Sequence, residues 1–173
     1  MNLDQRCEPI ELLLADVDGV LTDGSLVFDN QGIETKWFHI HDGLGIRLWK
    51  KAGYQFGLLT GRSSHIVRTR AAELEIEIVR QGVGDKLAAT EQVLSELGLS
   101  LEQTCYLGDD LPDLPVIRAV GLGVAVADGC DEVRRAARYV TSLPGGSGAV
   151  RETVELVLKA QHRWNDVIQQ YLT

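Results

Sequence analysis

Ile10-Glu11-Leu12-Leu13-Leu14-Ala15 runs straight into Asp16-Val17-Asp18-Gly19-Val20-Leu21-Thr22-Asp23. The first six residues are a short, almost continuous apolar run, the pattern of a strand covered on both faces. The next eight set two carboxylates two residues apart at the strand exit. Such a pair is costly without a compensating charge, and a divalent cation is the usual compensator. Taken alone, this turn also fits a solvated acidic loop. Outward from it, apolar β-rich runs recur at 54–59, 76–79, 104–107, 123–126 and 138–140. Helical patterns separate them at 43–51, 63–74, 86–97, 114–119 and 131–136, and Gly53, Gly98 and Gly121 stand where helix C-caps fall.

Strand–helix alternation at this spacing predicts an α/β fold, a Rossmann-like parallel sheet with helices on both faces. In such sheets ligands bind at the carboxyl ends of the strands, where the polar motifs of this chain stand. One segment breaks the alternation. SLVFDNQGIETKWFHIH, between Gly24 and Asp42, has two alternating runs around Asn30-Gln31-Gly32 and predicts a β-hairpin inserted after the first strand. Residues 149–171 are helical in period, and Pro144-Gly145-Gly146-Ser147-Gly148 before them reads as a flexible loop. No repeat or second domain is visible, so one domain is expected over 1–173.

Composition narrows the function. The 173 residues are 45% hydrophobic and 24% charged, as in a folded domain rather than a disordered one. Seventeen basic against twenty-five acidic residues give a net charge of −8, which argues against a nucleic-acid partner. No apolar run approaches the roughly 20 residues that span a bilayer, and MNLDQRCEP lacks the apolar stretch of a secretory signal. A cytoplasmic protein with no membrane partner is expected. Cys7, Cys105 and Cys130 are odd in number and form no CxxC pair, so neither a disulfide framework nor a structural zinc site is expected.

Three further strand exits carry polar groups. Thr60-Gly61-Arg62 offers a hydroxyl and backbone N–H groups near a helix start, a cradle for phosphoryl oxygens. Lys86 opens a helix, where the dipole does not favour a cation; a lone lysine there is usually just solvated. Gly108-Asp109-Asp110-Leu111-Pro112-Asp113 sets three carboxylates within five residues, a second set of hard-cation ligands. His39 and His41, two apart on an expected strand, read as an exposed or interface pair. Trp37, Trp49 and Trp164 read as packing residues, and Arg134-Arg135 as a solvated helix face.

Asp-x-Asp-Gly, Thr-Gly-Arg, Lys and Gly-Asp-Asp-x-x-Asp, in that order and each at a strand exit, resemble the haloacid dehalogenase superfamily along almost the whole chain. The resemblance implies that Asp16 is a nucleophile forming an aspartyl-phosphate. Asp18 would be general acid, then general base. Thr60 would hold the phosphoryl group, and Lys86 would balance charge around Asp16. Mg²⁺ would be bound by Asp16, the Asp18 backbone carbonyl and Asp109, with Asp110 and Asp113 supporting.

The insertion is only a hairpin and the gap from Thr60 to Lys86 is short, so the fold is capless. Asp16 to Gly24, Phe38-His39-Ile40-His41-Asp42-Gly43-Leu44-Gly45-Ile46, Val124 to Asp128 and Gly145 to Glu152 are similar to the 3-deoxy-D-manno-octulosonate (KDO) 8-phosphate phosphatases. That likeness implies lipopolysaccharide precursor synthesis and a homotetramer packed through its hairpins, with active sites shared between subunits. Substrate contacts would fall to Gly61, Arg62, Asp42 and Arg151. His41 and Ser147 stand where that family often has basic residues, which keeps a phosphatase for nine-carbon (KDN or sialic acid type) 9-phosphates as the alternative. Arg62 favours the KDO reading, because the nine-carbon group can have Glu there. A phosphomutase needs a closing cap to exclude water. A non-catalytic assembly module of a sugar nucleotidyltransferase has no need of Asp16, Asp18 and Lys86 together.

Overall fold

A computed structural model describes residues 2–172. The strands are β1 Leu12–Ala15, β2 Val27–Phe28, β3 Glu34–Thr35, β4 Gln55–Leu59, β5 Ile78–Arg80, β6 Thr104–Gly108, β7 Leu122–Ala125 and β8 Tyr139–Val140. The α-helices are α1 Leu3–Cys7, α2 Ile40–Lys51, α3 His65–Glu73, α4 Lys86–Leu97, α5 Leu114–Ala119, α6 Asp131–Ala136, α7 Ala149–Ala160 and α8 Trp164–Ile168. Six strands form one parallel sheet in the order β5-β4-β1-β6-β7-β8. The chain runs outward from β1 to β5, then returns to the other side of β1 at β6. The order therefore reverses beside β1, where the carboxyl ends of neighbouring strands open a crevice.

The apolar run of β1 is buried at every residue, and its alternation splits the core in two. Leu13 and Ala15 join Ile46, Trp49, Val67, Val154 and Leu158 of α2, α3 and α7 on one face. Leu12 and Leu14 join Val93, Val116, Ile117 and Val133 of α4, α5 and α6 on the other. The expected α/β sheet with helices on both faces is the observed one. β2 and β3 pair antiparallel as a ribbon after β1, with Val27 opposite Thr35 and Phe28 opposite Glu34. Among the described residues, no helix is long and apolar enough to cross a membrane.

Several local expectations are corrected. Residues 149–171 are not one helix: His162 takes φ +58, and Arg163 N–H donates to the Leu158 carbonyl, closing α7 before α8. Gly121 is not a left-handed cap. It is glycine because a Cβ there would come within 2.2 Å of the Glu102 carbonyl oxygen. His39 lies on no strand; it caps α2, its Nδ1 accepting from His41 N–H. Trp49 is buried, but Trp37 is 75% exposed on the arm leaving the ribbon. The 144–148 loop is tied down, with Gly146 N–H donating to the Val20 carbonyl and Gly145 N–H to Asp128 Oδ1. Arg134 and Arg135 lie on an exposed face, paired with Asp131, as expected. All three cysteines are free.

Candidate active site

At the switch point β1 delivers Asp16, β4 delivers Thr60, β6 delivers Asp109, and the N-terminus of α4 delivers Lys86. Their side chains line one pocket of about 410 Å³ with Asp18, Gly61, Arg62, Asp110 and Asp113. A larger groove of about 580 Å³ beside α1 and α7 brings no comparable set of groups together. Chemistry rather than volume locates the site.

The turn after β1 is drawn tight. Val20, Leu21 and Thr22 N–H all donate to the Val17 carbonyl. Gly19, at φ +90, has no room for a side chain, since a Cβ would lie 2.1 Å from Asp109 Oδ2. This close approach brings the two acidic loops together. Asp16 Oδ1 accepts from Val17 N–H at 2.6 Å, and Oδ2 lies 2.7 Å from Lys86 Nζ. Lys86, its side chain 4% exposed, also reaches Asp113 Oδ1 at 2.6 Å. Burial alone would lower its pKa, yet the two carboxylates outweigh burial and raise it. The helix-opening lysine is thus a buried ion-pair partner.

Asp113 is wholly buried and fully used. Oδ1 accepts from Lys86 and from the Tyr106 hydroxyl, and Oδ2 accepts from the Asp109 and Asp110 N–H groups. It therefore supports the acidic loop and has little left for a cation. Asp109 differs: its Oδ1 is buried with no partner. Ligand atoms of Asp16, Asp109 and Asp113 lie within 4.8 Å of one another. An unsatisfied buried carboxylate oxygen beside a second carboxylate fits a hard divalent cation such as Mg²⁺. Burial, then the charge of Asp113, pushes Asp16 up to about 6 against the pull of Lys86. Burial, then Asp16 and Asp113, pushes Asp109 up to about 7.

Folded pKa values above the ordinary carboxylate range favour folding below about pH 4, and that contribution is lost as pH rises through 6 and 7. A cation needs the ionised forms, so its affinity rises over the same window. We expect the melting temperature with chelator to fall between about pH 5 and about pH 8, while the gain on adding excess Mg²⁺ grows. Thermal melts with chelator and with Mg²⁺ check this; a gain that shrinks with pH would contradict it.

Asp110 Oδ1 caps the short helical turn beyond it, accepting from Leu111 N–H. Thr60 is buried at the pocket floor, its Oγ1 accepting from Arg62 N–H at 3.3 Å. Asp18 lies beside Lys36, and Arg62 Nε stands 3.8 Å from its Oδ2. Glu34 of β3 accepts from Arg62 Nη2 at 2.7 Å and from Ser64 Oγ at 2.6 Å. Its carboxyl is held below the usual range, chiefly by Ser64. Sequence reading missed Glu34, Lys36 and Ser64.

Two expected substrate contacts lie elsewhere within this chain. Asp42 is 2% exposed and caps α7, Oδ1 accepting from Arg151 N–H at 2.9 Å and Oδ2 from Gly148 N–H at 3.2 Å. Arg151 pairs with Glu155 at 2.8 Å, lies over the Trp164 ring, and lines a separate depression with His41. Asp42→Ala would leave both buried amides without an acceptor. The expected loss is about 2 kcal/mol, or roughly 4–8 °C in melting temperature. A thermal melt that does not move would remove the capping role.

A family model for haloacid dehalogenase-like hydrolases matches residues 69–150. The 3-deoxy-D-manno-octulosonate 8-phosphate phosphatase of Yersinia pestis is 45% identical over 159 residues, 92% of this chain and 85% of that protein. This chain belongs to the KDO 8-phosphate phosphatase family. The crystal structure of the KDO 8-phosphate phosphatase from Moraxella catarrhalis, in complex with magnesium ion, phosphate ion and KDO, is 43% identical. It superposes with a TM-score of 0.95 over 97% of each chain. The cobalt-bound KDO 8-phosphate phosphatase from Haemophilus influenzae is 42% identical, with a TM-score of 0.92 over 98% of this chain and all of that one. Divalent ions in two KDO 8-phosphate phosphatases agree with the carboxylate set found at the strand exits here.

Proposed function

We propose that this chain is a Mg²⁺-dependent phosphomonoesterase, one domain over residues 1–173, that hydrolyses KDO 8-phosphate to KDO and phosphate. The observation that carries the reading is a buried carboxylate, Asp16, held by Lys86 beside the unpartnered oxygen of Asp109, with Asp18 across the same pocket. Asp16, the Asp18 backbone carbonyl and Asp109 hold the metal, with Asp110 and Asp113 supporting. When bound, Mg²⁺ offsets the repulsion between Asp16 and a phosphate dianion and polarises the phosphoryl oxygens.

Asp16 attacks phosphorus, forming an Oδ–P bond as the bond from phosphorus to the sugar oxygen breaks. Asp18 gives its proton to that leaving alkoxide. The sugar acid departs, and Asp18 takes a proton from water as the water attacks phosphorus and the Oδ–P bond breaks. Inorganic phosphate leaves and Asp16 is restored. Lys86 holds Asp16 in place throughout, while Thr60 and the Gly61 N–H steady the phosphoryl oxygens. Arg62 faces the substrate carboxylate, a pairing to which its planar fork is suited.

The product chemistry is that of lipopolysaccharide precursor synthesis, in the cytoplasm. The assembly proposed is a homotetramer packed through its hairpins, with shared active sites. Val27, Phe28, Ile33 and Trp37 form an exposed apolar surface on and beside the ribbon, which supports it. Sharing of sites would also give Arg151 and His41 a role toward a neighbouring subunit's pocket.

Phosphate release from KDO 8-phosphate and KDN 9-phosphate, measured in parallel with Mg²⁺ and with Asp16→Asn as blank, tests the reading. A strong preference for KDO 8-phosphate is expected. Preference for the nine-carbon substrate would reassign the substrate, and activity on neither would remove the sugar-acid assignment. Sizing in solution tests the tetramer.

A further inference from the structure

The arm returning from the hairpin has its polarity reversed. Ile33 and Trp37 face outward, 60% and 75% exposed, while Glu34 and Lys36 turn inward. The Lys36 side chain is 1% exposed, so it is a buried cation that must be paired. Its Nζ lies against Asp18 Oδ1 and 3.2 Å from Glu34 Oε1. That Glu34 oxygen also accepts from Arg62, and the other accepts from Ser64, which anchors the arm to the segment after β4. Asp18 thus has Oδ1 covered by the hairpin cation. Oδ2 stands 3.8 Å from Arg62 Nε, beyond hydrogen-bond reach. Asp18 and Arg62 line the pocket; Lys36 does not.

We propose that Lys36 is a positioning residue for Asp18: it fixes the rotation of the carboxyl so that Oδ2 is the oxygen presented to the leaving group. Glu34 sets Lys36 in turn and keeps Arg62 in register with it. The hairpin is therefore part of the catalytic machinery of its own chain. A carboxyl free to rotate spends only part of its time aimed at the reacting oxygen, and rate falls steeply with misalignment of this kind.

The inference rests on the reading of Asp18 as the general acid, and the test separates the two. A sugar alkoxide needs a proton to leave, whereas nitrophenolate leaves without one. kcat/KM covers the steps up to release of the leaving group and excludes the later attack of water. We would measure kcat/KM on KDO 8-phosphate and on p-nitrophenyl phosphate for the wild type, Asp18→Asn and Lys36→Met. Each ratio comes from one sample and does not depend on the fraction folded.

For Lys36→Met the expected loss is about tenfold or more on the sugar phosphate and less than about threefold on the aryl phosphate. Asp18→Asn should show the same selectivity, larger, at roughly a hundredfold on the sugar phosphate. Glu34→Gln should move the ratio in the same direction by less, and it carries the test if Lys36→Met does not fold. Equal losses on both substrates, or no loss, in the Lys36 and Glu34 variants would overturn the proposal. Equal losses in Asp18→Asn would instead overturn the general-acid reading beneath it.

Discussion

Asp16→Asn is expected to lower turnover by at least about 10⁴-fold while leaving the metal-free protein no less stable than the wild type. The loss follows from chemistry: an amide oxygen is a poor nucleophile and forms no acyl-phosphate that water could cleave to restore the enzyme. The stability half follows from the surroundings. Asp16, Asp109 and Asp113 bring ligand atoms within 4.8 Å of one another around a single buried cation, Lys86. Burial first, and that crowding second, raise the pKa values of Asp16 and Asp109. A group whose folded pKa lies above its unfolded one opposes folding once it is ionised, so the neutral amide relieves a cost present above about pH 6. Asn has nearly the same shape, and its amide oxygen can still accept from Lys86. A chelator-treated melt near pH 8 should therefore be equal to or higher than that of the wild type, and Mg²⁺ should raise it less. A folded variant with substantial phosphate release would remove Asp16 as the nucleophile.

The fold was legible because β1 has no polar residue between Leu12 and Ala15, and β4, β6 and β7 are similar mostly apolar buried runs with helical segments between the sheet strands. Four motifs were legible because each stands at a strand exit, so the parallel sheet alone brings them to one edge. Lys86 was weak by itself, since a lysine at a helix start is ordinarily solvated; the strand order put Asp16 and Asp113 beside it. Glu34, Lys36 and Ser64 were missed because their contacts with the site join residues 18 to 30 apart, Lys36 to Asp18, Arg62 to Glu34 and Ser64 to Glu34. A signal was present: Glu34 and Lys36 alternate with the uncharged Ile33, Thr35 and Trp37, and nothing in that alternation says which face is buried. The backbone role of Asp42 went unread for a related reason. A motif likeness marks a residue as part of a pattern without saying whether it serves the ligand or the backbone, and here its carboxylate is used by Gly148 and Arg151.

Lys86→Met should remove turnover by about 10³-fold or more and destabilise the protein in a pH-dependent way. Lys86 contributes the buried positive charge shared by Asp16 and Asp113, at 2.7 and 2.6 Å, and methionine fills much of the same volume. Breaking a buried pair by deleting one partner typically costs about 3–5 kcal/mol, because the remaining charge stays buried and uncompensated. At about pH 8 this predicts a fall in melting temperature of roughly 6–20 °C. At about pH 5 the fall should be much smaller, since Lys86 lowers the pKa values of Asp16 and Asp109 and its loss sends both higher. The carboxyls then take up protons instead of remaining charged, and the stability lost with the cation disappears only as pH rises through those values. Adding Asp16→Asn should recover part of the alkaline loss, because residues sharing one ion-pair network are not additive. Melts of the wild type, both single variants and the double variant at the two pH values decide the matter. A loss equal at both pH values would mean that Lys86 supports the fold through packing and hydrogen bonds rather than through its charge.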